Sequence, residues 1–170
     1  MAERRPSFDP YGILQALERH RVKYVLIGGF ARVLRGTEEL TRGVDIVPAP
    51  RSDNLRRLDD ALQEIGARRA DGKQLDRFES AIVEKPLVAL VTEHGELKVV
   101  PTPEGTRGYD DLRRGAHREP LGQGVRSDVA SIGDLARMSS ALGTERNLEH
   151  VRQLRRLTAL ERGRSRVIER

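Results

Sequence analysis

The sequence predicts an α/β fold: a small mixed sheet with flanking helices and a helical lobe at its C-terminal end. Three observations carry this. Short apolar runs closed by glycine or proline alternate with longer segments whose apolar residues recur at helical spacing. A hairpin signature stands in the middle of the chain. From Ser131 onward the pattern is helical only. The expected division is therefore an α/β core over residues 1–130 and helices over 131–170 packed on it as one compact unit.

The elements follow in order. Asp9 can cap a helix over residues 9–20, Pro10 suits its first turn, and Ile13, Leu14 and Leu17 share a face. Tyr24 to Ile27 reads as a buried strand running into Gly28-Gly29, with a helix from Phe30 to Leu34 behind the turn. Val44 to Val47 is a second short strand, stopped by Pro48 and carrying Asp45. Ser52 to Ile65 places Leu55, Leu58, Leu62 and Ile65 at helical spacing before a capping Gly66. Leu87 to Val91 and Glu96 to Val100 flank His94-Gly95 as a β-hairpin. Tyr109 to Ala116 suggests a short helix, and Gly124 to Ala130 a loop entering a strand. Ser131 to Asp134 resembles a capping box opening a helix that Gly143 breaks. Leu148, Val151, Leu154, Leu157 and Leu160 stripe a last helix. Arg152, Arg155 and Arg156 lie off the stripe as a solvated face, and the Arg-rich tail after Gly163 is expected to fray.

Composition narrows the function classes. The chain of 170 residues has the length of one domain, and its core must be Leu, Val, Ile and Ala, because aromatics are 4% and Trp is absent. With 31 Lys and Arg against 26 Asp and Glu, the net charge of +5 permits nucleotide or nucleic-acid binding without requiring it. The absence of cysteine excludes disulfides and thiolate metal sites. The first residues carry no apolar stretch of signal-peptide type, and no window approaches the ~18 apolar residues of a membrane span. A cytoplasmic protein without membrane contact is expected.

The informative stretch is Tyr24-Val-Leu-Ile-Gly-Gly-Phe-Ala31 followed by Leu40-Thr-Arg-Gly-Val-Asp-Ile-Val-Pro48. Glycines between a strand and a helix let backbone N–H groups approach a phosphate, and the helix N-terminus favours its charge. An acid on the neighbouring strand could hold the accompanying cation. The scattered histidines, His20, His94, His117 and His150, show no metal-ligand spacing. Ser139 and Ser140 read as helix-surface serines, and Glu93 and Glu96 as exposed strand-end residues.

Here the sequence resembles the bacterial nucleotidyltransferase toxins of the AbiEii/MenT type, over about residues 12 to 160. Gly28-Gly29-Phe30-Ala31 resembles that family's Gly-Gly-x-Ala turn. Arg35 and Thr41 sit where that family places an Arg or His-Gly loop and a Thr before its paired acids, and Val44-Asp45-Ile46-Val47-Pro48 resembles the second half of its acid strand. Gly95 to Val100 resembles the strand of the third acid, and residues 134–138 and 146–150 its two C-terminal helices. The resemblance implies metal-assisted nucleotidyl transfer, with Mg²⁺ held by two acids one residue apart and a third nearby. It implies nucleotide contacts at Gly28, Gly29, Arg35 and Thr41.

This chain departs from that pattern. The first acid of the pair falls on Gly43, the third acid on Lys98, a phosphate-binding Lys on Ser139 and a later acid on Asn147; only Asp45 is kept. One carboxylate is a poor site for a hard dication, and Lys98 opposes a cation there. A Lys98–Asp45 ion pair is expected to fill the space. Carboxylates restored at 43 and 98 together are expected to recover metal binding. Three readings follow: a silent member of the fold, a pseudoenzyme of toxin–antitoxin type that binds a nucleotide, an RNA or a protein partner; an active Mg²⁺-dependent enzyme modifying tRNA through Asp45 and substitute ligands; and a purely partner-binding structural protein.

Overall fold

The computed structural model describes residues 7–81 and 87–168. The expectation for the first six residues and the end of the tail, 169–170, lies outside them. A seven-stranded mixed sheet in the order β3-β4-β5-β2-β1-β7-β6 forms the centre. Its strands are β1 (Tyr24–Ile27), β2 (Gly43–Pro48), β3 (Arg68–Arg69), β4 (Val88–Thr92), β5 (Gly95–Val99), β6 (His117–Gly122) and β7 (Val125–Val129). The helices are α1 (Pro10–Arg19), α2 (Gly28–Arg35), α3 (Ser52–Glu64), α4 (Phe78–Ala81), α5 (Tyr109–Leu112), α6 (Ile132–Leu142) and α7 (Glu145–Ile168). The expected α/β class with a C-terminal helical lobe is the one observed.

α1 begins as its sequence requires. The Asp9 carboxylate accepts from the Tyr11 N–H at 3.1 Å, and Ile13, Leu14 and Leu17 are fully buried. Each such side chain contributes on the order of 1.5–3 kcal/mol by leaving water. The apolar run of β1 is buried along its whole length because β1 is interior, paired with β2 on one side and β7 on the other. Asn54 ties α3 to this centre. Its side chain accepts from Lys23 N–H at 2.7 Å and donates to the Lys23 and Ala49 carbonyls at 2.9 Å.

The hairpin forms as β4 and β5, with Glu93 and His94 between the paired ends and Gly95 already in β5. Three elements have no counterpart in the sequence reading: β3, α4 and β6. β3 and β6 are the two edges of the sheet. Edge strands stay short, charged or proline-bearing, which hides the alternation that reveals a strand. β6 reads His-Arg-Glu-Pro-Leu-Gly and carries a register shift between Pro120 and Gly122. α4 is one turn, its first N–H groups at Phe78 and Glu79 taken by the Asp59 carboxylate at 2.9 and 3.3 Å.

α6 opens as expected, the Ser131 hydroxyl accepting from Asp134 N–H at 3.1 Å, and ends at Gly143 with φ +65°. α7 differs from expectation: it runs straight through Gly163 to Ile168. One exposed glycine costs a helix only about 1 kcal/mol, too little to end it. The stripe on α7 is buried at Val151 and Leu154, but Leu160 is 64% exposed. The lobe meets the core through α2 and the loop behind it: Gly36 packs on Leu157, and the Glu38 N–H donates to Gln153 Oε1 at 3.2 Å. No helix among the described residues is long and apolar enough to cross a membrane.

Candidate functional site

The Gly-Gly turn and the acid strand meet where β1 gives way to α2. β1 and β2 are antiparallel with Ile27 opposite Asp45. The chain then passes through Gly28, which has φ +72° and lies so close to Asp45 that a Cβ there would overlap its carboxylate. Glycine is required twice over at this point, by backbone conformation and by contact.

β2 and β5 are parallel, with Gly43 opposite Glu96 and Asp45 opposite Lys98. Val44, Ile46, Leu97 and Val99 face the core, so strand alternation puts Gly43, Asp45, Glu96 and Lys98 on one face. Burial raises the Asp45 carboxyl above its ordinary range; Lys98 and then Arg32 pull against this, and Glu96 adds to it. The expected ion pair is not formed. Lys98 is exposed and acts on Asp45 through space, and neither joins a salt bridge among the described residues.

Gly43 is more than a missing acid. A Cβ built there would stand 2.6 Å from the Glu96 carbonyl oxygen and 2.9 Å from its Cβ. β5 lies close against the bare backbone of β2, and any side chain at 43 must push it away. The side chains present do not fit Mg²⁺. A hard dication wants several oxygens at once. Among the described residues the carboxylate that acts on Asp45 is that of Glu96, with the Lys98 ammonium on the same face. No cluster of three or more His, Asp or Glu side chains placed to hold a metal occurs among the described residues.

Beside the Gly-Gly turn lies a cluster the sequence reading missed. Arg32, on α2, grips Glu39 with two hydrogen bonds of 3.0 Å, through Nε and Nη2. The Thr37 hydroxyl donates to the same carboxylate at 2.9 Å, and His150 Nε2 approaches it at 3.7 Å. The Arg32, Glu39 and His150 side chains are 14%, 8% and 7% exposed. Burial pushes the Glu39 carboxyl up, but the Arg32 hydrogen bonds and charge, the Thr37 hydroxyl and His150 together hold it below its ordinary range. Burial, then Arg32, lowers His150, with Glu39 opposing, and His150 Nδ1 is buried without a hydrogen-bond partner. Glu39 Oε1 would lie 3.0 Å from a Cβ on Gly29, so an internal carboxylate rests against the first turn of α2. One signal was available: His150 lies four residues before Leu154, on the apolar face of its helix.

The remaining residues singled out from the sequence have other employment. Thr41 borders the turn and donates to the Gly43 carbonyl at 3.0 Å. Arg35 points away from it. Its Nε and Nη2 donate to the Ala130 and Val129 carbonyls at 3.0 and 2.9 Å, and Nη1 meets Glu119 at 2.9 Å, fastening α2 to β7 and β6. Ser139 is buried on α6, not on a helix surface as expected, and its hydroxyl has no partner. Asn147 serves the start of α7, where its backbone N–H and Nδ2 both donate to Thr144 Oγ1 at 3.2 and 2.6 Å. Glu93 and Glu96 are exposed as expected. The structure thus unites Gly28, Gly43, Asp45 and Lys98, with Gly29 and Thr41 at the border. Arg35, Ser139 and Asn147 share no hydrogen bond or ion pair with that group among the described residues.

This sheet order, with a glycine turn between β1 and α2 and an acid on the antiparallel neighbour, is that of the nucleotidyltransferase fold. The chain is similar to the lincosamide antibiotic adenylyltransferase LnuA, solved with lincomycin bound, at 17% identity over 89% of this chain and 99% of that one, with a TM-score of 0.60. It is also similar to the antibiotic-resistance factor ANT(2'')-Ia, at 15% identity and a TM-score of 0.54. The match covers 94% of this chain and 92% of that one for the solution structure, and 92% and 96% for the crystal structure with adenylyl-2''-tobramycin. No protein-family model and no curated protein matches the chain. At these identities the likeness establishes the fold and not the activity.

Proposed function

We propose that this chain is a catalytically silent member of the nucleotidyltransferase fold, of toxin–antitoxin type, that works by binding a nucleotide, an RNA or a protein partner. The observation that carries the reading is the state of β2 and β5 at their acid positions. Asp45 has Lys98 across from it, and Gly43 lies so close to Glu96 that a side chain there must displace β5. The backbone of β5 occupies the space that a side chain at position 43 would need. Two further features agree with it. The Arg32–Glu39 pair occupies the space against the first turn of α2, where a phosphate would gain most from the helix N-terminus. Arg35 has its donors engaged by backbone carbonyls and Glu119.

The likeness to two proteins of adenylyl transfer keeps an active, Mg²⁺-dependent enzyme as the second reading, with tRNA as the acceptor the toxin resemblance implies. Incubation with each of the four labelled nucleoside triphosphates and bulk tRNA, in Mg²⁺ and then Mn²⁺, separates the two. The silent reading expects no label on RNA and no difference between the chain and its Asp45→Asn variant. Label that depends on Asp45 would overturn it.

A further inference from the structure

The end of β1 away from the Gly-Gly turn opens into two adjoining cavities. The larger has a volume of about 470 Å³, with the Tyr24–Ser127 pair in its wall and Arg21, Lys23, Tyr109 and Arg126 around it. The smaller, about 120 Å³, shares Lys23 and Tyr109 with the first and continues past Arg51 and Arg57. The shared lining places Lys23 and the half-buried Tyr109 between them, so the two are treated as one groove. Tyr24 is locked: its hydroxyl is 2.7 Å from Ser127 Oγ, and burial pushes it up to about 12.

The charges along this groove do not cancel. Asp53, Asp110 and Asp128 each answer one arginine, Arg57 at 3.3 Å, Arg113 at 3.2 Å and Arg118 at 3.7 Å. Arg21, Lys23, Arg51 and Arg126 are exposed and have no salt-bridge partner among the described residues, while Glu18 is the only unpaired acid in the lining. Arg57 Nε is buried without a hydrogen-bond partner.

Arg21 adds an independent sign. It follows α1 with φ +55°, its N–H donating to the Glu18 carbonyl and that of Val22 to Leu17, both at 2.9 Å. Glycine is the usual occupant of such a cap, and an L side chain costs on the order of 1 kcal/mol there. A long cation is held in that conformation at the mouth of the cavity.

We propose that this groove is a binding site for single-stranded nucleic acid. The unpaired cations would track its phosphates and Tyr109 would offer a stacking surface to a base, the combination by which strands are held without regard to sequence. The site lies at the opposite end of β1 from Asp45. The proposal deepens the reading of the chain as a binding protein, on which it rests, by naming the ligand class.

Anisotropy of a fluorescein-labelled single-stranded RNA, and of DNA of the same sequence, tests it over a series of salt concentrations. Binding should weaken with salt at a log–log slope of about −0.7 per phosphate contact. The Arg21→Glu/Lys23→Glu/Arg126→Glu variant should bind at least ~10-fold more weakly with a flatter slope. Arg21→Gly should melt at a higher temperature than the parent while binding more weakly, which separates loss of the site from loss of the fold. Arg155→Glu/Arg156→Glu, on the exposed face of α7, should bind like the parent. Four results would each overturn the proposal: no oligonucleotide binding by the parent, parent-like binding by the triple variant, an equal loss in the α7 control, or equal competition by polyglutamate of matched charge. The transfer assay reads Asp45 and the anisotropy reads the groove, so either proposal can fail without the other.

Discussion

Lys98 stands directly across from Asp45 in the parallel register of β2 and β5, and the two side chains share a face without touching. The ammonium is solvated while the carboxyl is largely shielded, so Lys98 tempers the rise that burial imposes on Asp45 without cancelling it. This relationship makes the first prediction. Lys98→Asp places two carboxylates on adjacent strands, and it should bind Mn²⁺ more tightly than the parent, measured by the loss of the free Mn²⁺ signal in electron paramagnetic resonance. Asp45→Asn in the same background should abolish the gain.

Gly43 limits how far such a restoration can go. Because a Cβ there meets the Glu96 carbonyl at 2.6 Å, Gly43→Ala should destabilise the fold by about 1–3 kcal/mol. Urea unfolding would show a lower midpoint with an unchanged slope. The Gly43→Asp/Lys98→Asp pair should therefore bind Mn²⁺ no better than Lys98→Asp alone. The expectation that carboxylates at both positions together recover metal binding predicts the opposite, and the comparison of the two variants decides between them.

Arg35 should behave as a fold residue. Its three donors serve the Ala130 and Val129 carbonyls and Glu119, and its side chain is 15% exposed. Arg35→Ala leaves these acceptors unpaired and should cost about 2–4 kcal/mol in urea unfolding. Arg35→Lys should recover only part of the loss, because an ammonium cannot span the same fork.

The His150–Glu39 contact predicts a pH dependence. The folded state holds His150 below its ordinary value of 6.5, mainly by burial. Between the folded and unfolded values the unfolded chain binds more protons, so stability rises with pH through this window. His150 therefore contributes stability that is present above about 6.5 and is lost as pH falls through its lowered folded value. Glu39, also lowered, adds a second loss below its ordinary 4.5. Melting temperatures across mildly acidic pH should fall for the parent, and His150→Asn should remove the upper part of the fall while leaving the lower one.

The sequence by itself determined the α/β class, β1, β2, the β4–β5 hairpin, α1, α3 and α6. In each, local periodicity and the capping residues agree with burial in the final structure. That Gly28, Gly43, Asp45 and Lys98 belong to one place came from the resemblance of their motifs to the toxin family, and the pairing of β2 with β1 and β5 brings them together. Tertiary structure alone decided the rest. β3 and β6 are edge strands whose residues carry no alternation, and they exist because β4 and β7 offer them open hydrogen-bonding edges. That Gly43 is sealed by Glu96 depends on the separation of two strands, which no residue type encodes. Arg35 looks the same in sequence whether it faces a phosphate or two backbone carbonyls. Glu39 and His150 are 111 residues apart in the chain, and only the packing of α7 against α2 and its following loop brings a buried carboxylate and an imidazole together at the Gly-Gly turn.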